Sequence, residues 1–273
     1  MIESPATHRH DIDGLRAVAI LAVVLYHAGF PLFRGAFVGV DVFFVISGYF
    51  IAASLAASLQ KPGFSVGQFY RRRAARIVPP LLVMTLCCVP AAHLLFLPQD
   101  YAMLGKTLIS AGAFCSNLFF YSQGGYFDAP LEGNPFLHTW FLAIQGQFSL
   151  IFPLFFILVR RLRKGRETPV VALLFFASLL ASAFMARYAP RAAYFFLASR
   201  GWELLAGALL ALRIGRGNAR DGSVLPAKLS ETLALAAIAS ILMPIPLYTP
   251  RTPFPGLAAL PPCIGAALLI WLP

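Results

Sequence analysis

AFVGVDVFFVISGYFIAASLAA, residues 36–57, decides the fold class. Asp41 is the only charged residue in it. A helix needs about 20 apolar residues, at about 1.5 Å each, to cross the hydrocarbon core of a bilayer. Similar runs lie on both sides. Leu15–Phe33 precedes it, and a run from Pro79–Pro80 to Leu97 follows. After these come Met103–Tyr121, His138–Val159, Val170–Ala186, Ala193–Leu212, Leu233–Leu247 and Phe254–Leu272. The pattern predicts an all-α polytopic transmembrane bundle of eight or nine hydrophobic segments, forming one membrane domain over residues 1–273.

Composition agrees. Hydrophobic residues make up 59% of the chain and charged ones 12%, with a mean hydropathy of +0.75. A soluble domain carries about 25% charged residues. The net charge of +11 is not spread over a face or a tail, so nucleic acid is not an expected partner; the bilayer is. The basic residues cluster between apolar runs: Arg71, Arg72, Arg73 and Arg76; Arg160, Arg161, Arg163, Lys164 and Arg166; and Arg213, Arg216, Arg220 and Lys228. The positive-inside rule places these clusters, and the N-terminus, in the cytoplasm. The expected location is the inner membrane. Nothing in Met1–Asp13 reads as a cleavable signal.

One inconsistency follows. The runs between Arg76 and Arg160 number three, and three full crossings cannot return to the same side. One of them is therefore re-entrant or interfacial, hides a further crossing, or has a cluster that breaks the rule. Pro90 and Pro98-Gln99-Asp100 point to the third or fourth run.

Ionisable residues inside apolar runs are costly and mark candidate sites. Arg16 and His27 are eleven residues apart, which puts them on one helix face about 16 Å apart. Asp13 suits an N-cap there. Arg16 reads as an interface anchor or a functional cation. Asp41 is a partner for His27 or Arg16, or a first-turn acid favouring the helix dipole. His138-Thr139-Trp140, followed by Gln145 and Gln147, opens another run. Arg200-Gly201-Trp202-Glu203 lies mid-run, and signals a polar cavity or a structural ion pair. Cys87, Cys88, Cys115 and Cys263 read as small buried hydrophobes. No metal-ligand spacing, Walker loop or dinucleotide fingerprint occurs.

These segments together resemble the acyltransferase-3 family of membrane O-acyltransferases. The resemblance starts at Asp13-Gly14-Leu15-Arg16-Ala17 and passes through His27, Gly39-Val40-Asp41-Val42-Phe43-Phe44 and Ser47-Gly48. It continues with Phe69-Tyr70-Arg71-Arg72-Arg73-Ala74-Ala75-Arg76, Asn134-Pro135, His138-Thr139-Trp140 and Gln147-Phe148. It ends with Arg200, Trp202-Glu203-Leu204-Leu205 and Gly207. The resemblance implies an acyl-CoA donor, usually acetyl-CoA, reached from the cytoplasm, with no permanently bound cofactor. It implies an acceptor hydroxyl on an envelope carbohydrate such as lipopolysaccharide, peptidoglycan or exopolysaccharide. The sequence departs from the family at Gln145 and Gly146, where a pair of acids is usual, and it ends at Pro273, before further helices usual in the family.

Acyl transfer needs a base, or a residue that carries the acyl group, and stabilisation of an oxyanion. His27 is the expected base, with Asp41 to orient it. Arg16 is expected to meet donor phosphates or the oxyanion. Arg71, Arg72, Arg73 and Arg76 either hold CoA phosphates or only orient the chain. Ser47 is an acyl carrier or a helix-packing residue. His138, Trp140, Gln145, Arg200, Trp202 and Glu203 are expected to shape the cavity. Two other readings fit the same charges: a transporter of a lipid-linked glycan, and a non-catalytic member that binds glycan or protein.

Overall fold

The computed structural model describes residues 9–127, 133–163, 165–216 and 225–272. Among these the chain is all-α. Helices α1 (His10–His27) and α2 (Gly39–Ser58) are joined by two 3-10 turns. Then come α3 (Val66–Leu95), α4 (Pro98–Gly112), α5 (Ser116–Gln123), α6 (Thr139–Leu162) and α7 (Glu167–Tyr188). The series closes with α8 (Pro190–Phe195), α9 (Leu197–Arg216), α10 (Ala227–Leu242), α11 (Pro244–Leu247) and α12 (Leu260–Trp271). Among the described residues six segments are long and apolar enough to cross a membrane: Ala36–Ser58, Val66–Leu95, Thr139–Leu162, Glu167–Tyr188, Pro190–Gly215 and Ala227–Leu247. The other expected runs form shorter helices, among them α1, α4 and α12.

The core is built on α2 and α9. A Cβ on Gly48 would overlap the backbone carbonyl of Leu204, and one on Gly207 would overlap that of Val45. Small residues let two membrane helices approach this closely. Gly39 gives a close but looser approach to Ala19 of α1, and Gly265 brings α12 onto Ala237 of α10. The outer surface is apolar, with Leu86, Leu94, Leu173, Leu180 and Leu235 exposed, as a lipid-facing surface requires.

The fourth run is not one helix. It breaks into α4 and α5 at Ala113–Cys115, where Phe114 has a φ of 54°. One cavity is lined both by Phe96, just before α4, and Asp100 in its first turn, and by Gln123, the last residue of α5, and Asn134 beyond it. The two helices thus leave and re-enter the same end of the bundle. Their tip lies against Gly146, part-way along α6. The α4–α5 pair is re-entrant, which removes the mismatch between the arginine clusters.

Local capping moves several boundaries. α3 begins before the double proline, because the Ser65 hydroxyl accepts from the Gln68 amide and starts the helix at Val66. The arginines at 71–76 therefore lie on a helix and not in a loop. α1 starts at His10, so Asp13 sits inside its first turn and pairs with Arg16 instead of capping it. It stops at His27 rather than near Phe33. Gly29, at φ 79°, donates to Tyr26 O, and Phe30 donates to Leu25 O, the paired bonds of a Schellman stop. Of the four free cysteines only Cys263 is buried, and Cys87 is exposed, because α3 meets few neighbours.

Candidate active site

The centre of the bundle holds a fully buried ionic cluster. Arg200 of α9 donates from Nη1 to Asp41 Oδ1 at 2.7 Å and to Glu203 Oε1 at 3.1 Å. Its Nε donates to the Tyr194 carbonyl at 3.1 Å. That carbonyl is free because Phe196 is extended and interrupts the helix between α8 and α9. The rings of Tyr194, Phe254 and Trp140 enclose the guanidinium at 4.7, 5.0 and 5.4 Å. Cation–π contacts in a dry site contribute about 2 kcal/mol or more. Asp41 Oδ2 and Glu203 Oε2 are buried without a hydrogen-bond partner among the described residues.

A second polar group lies at the end of the bundle where α1 stops and α6 starts. His27 is exposed there, and its Nε2 is 3.4 Å from the Tyr126 hydroxyl. His138 stands near it and holds the Pro135 carbonyl at 3.2 Å through Nδ1. A proton on Nδ1 leaves Nε2 as the acceptor. The His138 imidazole titrates below its ordinary value. Desolvation lowers it most and the nearby His27 lowers it further, against the opposing Pro135 carbonyl. Tyr126 joins the two groups, because its ring stacks on Tyr194 at 4.4 Å, and Tyr194 covers Arg200.

A third network fixes the re-entrant pair. The Asn117 side chain donates to Phe195 O at 2.9 Å and accepts from Gln147 Nε2 at 2.8 Å. Gln147 also donates to Phe114 O at 2.9 Å, at the break between α4 and α5. Both helix breaks thus have their free carbonyls satisfied by side chains, as backbone away from water requires.

Residues 9–272 match the family model Acyl_transf_3, described as an acyltransferase domain. The chain belongs to the acyltransferase-3 family. It is 34% identical over 239 residues to an uncharacterized protein of Haemophilus influenzae, covering 84% of this chain and 96% of that one. It is 33% identical over 269 residues to a putative membrane-bound transacylase, BcsY, of Komagataeibacter xylinus, covering 98% of this chain and 66% of the relative. It is 33% identical over 238 residues to the peptidoglycan O-acetyltransferase OatA of Listeria monocytogenes, covering 85% of this chain and 38% of that relative. No solved structure matches the chain.

In this acyltransferase-3 chain the expected site residues divide into groups. His27 and His138 come together. Asp41, Arg200, Glu203 and Trp140 come together beneath them. Asp41 does not orient His27, because its carboxylate is held by Arg200 on another helix. Arg16 is half exposed, paired with Asp13 at 3.1 Å and lying 5.0 Å over Phe50. Trp202 is two residues from Arg200 and so faces the other side of α9, against Phe175 of α7. Ser47 and Gln145 are half-buried and engage in no side-chain hydrogen bond among the described residues. Arg72 reaches Ser58 at 3.4 Å, Arg71 and Arg76 are exposed, and Arg73 has a buried, unpartnered Nε. Tyr126, Tyr194, Phe254, Asn117 and Gln147 complete the site. Only Gln147 had a visible sequence signal, as an amide in an apolar run.

Proposed function

We propose that this protein transfers an acyl group, most simply acetyl, from acyl-CoA to a hydroxyl of an envelope carbohydrate. The donor reaches the arginine-rich, cytoplasmic end of a protein in the inner membrane. There a cavity of about 390 Å³ between α2, α6, α7 and α9 is lined by Tyr49, Gln60, Arg160 and Glu167. Arg160 joins Arg71, Arg72, Arg73 and Arg76 as a phosphate contact, since guanidinium matches phosphate geometry.

The observation that carries the reading is the meeting of His27, His138 and Tyr126 at the opposite end, above the buried Arg200–Asp41–Glu203 cluster. A donor held at the arginine end extends its pantetheine arm through the bundle to present the thioester at the histidine end. There His27 takes the acceptor hydroxyl proton as the oxygen attacks the thioester carbonyl. The C–S bond then breaks, and the CoA thiolate takes the proton back from the imidazolium. Tyr126 orients His27. Arg200 reaches no acceptor; it supports the aromatic floor on which Tyr126 rests. The kinship with OatA supports transfer to a carbohydrate, and the chain spans 38% of that relative.

The test is alkali-labile acetate on purified envelope glycans. Cells carrying the wild type, His27→Ala at equal membrane level, or neither are compared. Acetate raised by the wild type alone is the expected result, with a loss of about 10²-fold or more in the variant. Equal acetate from both removes His27 as base. No acetate in either favours transport, or binding without catalysis.

A further inference from the structure

A cavity of about 580 Å³ opens at the histidine end, bounded by Arg187, Arg191 and Arg251 on one side and by Tyr126, Tyr194 and Phe254 on another. Its volume is in the range of ordinary ligand pockets, about 300–1,000 Å³. The arginines come from separate elements: the last turn of α7, α8, and the turn that follows α11. Interaction with a helix dipole accounts for a last-turn cation such as Arg187. It does not account for Arg251. Nor does topogenic charge explain these residues, because the clusters that orient the chain lie at the opposite end. Arg187 and Arg251 have no carboxylate partner among the described residues. The aromatic wall is the same one that reaches the catalytic group. Tyr126 contacts His27, and Tyr194 and Phe254 cover Arg200.

We infer that this cavity seats an oxyanion, phosphate or carboxylate, carried by the acceptor carbohydrate, so that the acceptor is an acidic or phosphorylated sugar. The inference rests on the acyl-transfer reading only in naming the occupant as acceptor. The guanidinium groups of Arg187 and Arg251 hold the oxyanion, the rings flank the sugar, and a neighbouring hydroxyl faces His27. A membrane phospholipid headgroup carries the same oxyanion chemistry. It lacks the sugar that the aromatic wall fits.

The experiment uses the full chain in discs of phosphatidylcholine, with binding followed by saturation-transfer NMR. The probes are N-acetylglucosamine, its 1-phosphate and glucuronic acid, with inorganic phosphate, which has no carbon-bound proton, read by its displacement of the sugar phosphate. Both anionic sugars are expected to bind about tenfold or more tighter than the neutral one. In Arg187→Gln/Arg251→Gln the preference is expected to fall below about threefold. Arg187→Lys/Arg251→Lys, which keeps the charge, retains part of it. Arg34→Gln, at the same end but outside the cavity, leaves it unchanged. Equal binding of neutral and anionic sugars overturns the inference, as does a preference that survives the double glutamine variant. Inorganic phosphate binding as well as the sugar phosphate removes the carbohydrate, and loss of sugar binding in phosphatidylglycerol discs assigns the cavity to lipid. Acetate release is scored separately. Preference without transfer sinks the enzyme reading alone, and transfer without preference sinks this inference alone.

Discussion

At the scale of single residues, the Arg200 guanidinium decides how the centre behaves. It is surrounded by two carboxylates and three rings, none of them replaceable by water. Removing one partner of a buried pair costs about 3–5 kcal/mol, because the other charge stays buried. Arg200→Met is therefore expected to lower the unfolding temperature in detergent sharply. Arg200→Met/Asp41→Leu/Glu203→Leu is expected to recover much of the loss. A single variant as stable as wild type would disprove the cluster. His138 offers a titration. Its ring is held below the ordinary histidine value partly by His27, so it is neutral at pH 7 and gains a proton only as pH falls below that value. In His27→Asn its midpoint should rise, while desolvation keeps it from reaching the ordinary value. The pH dependence of His138 carbethoxylation, read by peptide mass, checks this; an unmoved midpoint shows that the rings do not sense each other. Arg200, Glu203 and Asp41 were legible as misplaced charges. Their pairing was not, because Asp41 and Arg200 are 159 residues apart and apolar periodicity says nothing about which helices touch.

At the scale of elements, the glycines of α2 and α9 set the distance between the two helices. Each would place a Cβ against backbone, which cannot rotate aside. Gly207→Ala or Gly48→Ala is expected to cost about 1–3 kcal/mol through overpacking. Gly105→Ala, with open space around it, is expected to be neutral or slightly stabilising. Melting temperatures of the three variants decide the matter, and equal values would deny the close approach. The apolar runs were readable because length and hydropathy suffice for that. The breaks at Phe114 and Phe196 were not. The first depends on Gln147 of α6, and the second on Asn117 of α5 together with Ser199 and Arg200 of α9 itself, which replace lost helical bonds.

At the scale of the whole molecule, the re-entrant pair determines which ends face the same way. In a variant lacking the four native cysteines, Gln99→Cys and Gln123→Cys are expected to react with an impermeant maleimide from one side of the membrane. Arg161→Cys should react from the other. Labelling of Gln123→Cys together with Arg161→Cys would make α4–α5 a true crossing. The charge clusters revealed that something between Arg76 and Arg160 had to turn back. Only the shared cavity at Asp100 and Gln123 showed which piece does. The backbone contact between α2 and α9 has a mechanical consequence. Two rods meshed at successive turns neither shear nor roll without first separating, so the pair acts as the fixed keel of the protein. Any opening that lets an acyl group pass between the faces must come from elements held by side chains alone. α6 is such an element, for it meets α2 through Phe141 against Phe43 and Phe44, and that ring can turn aside as a gate while Trp140 stays on Arg200.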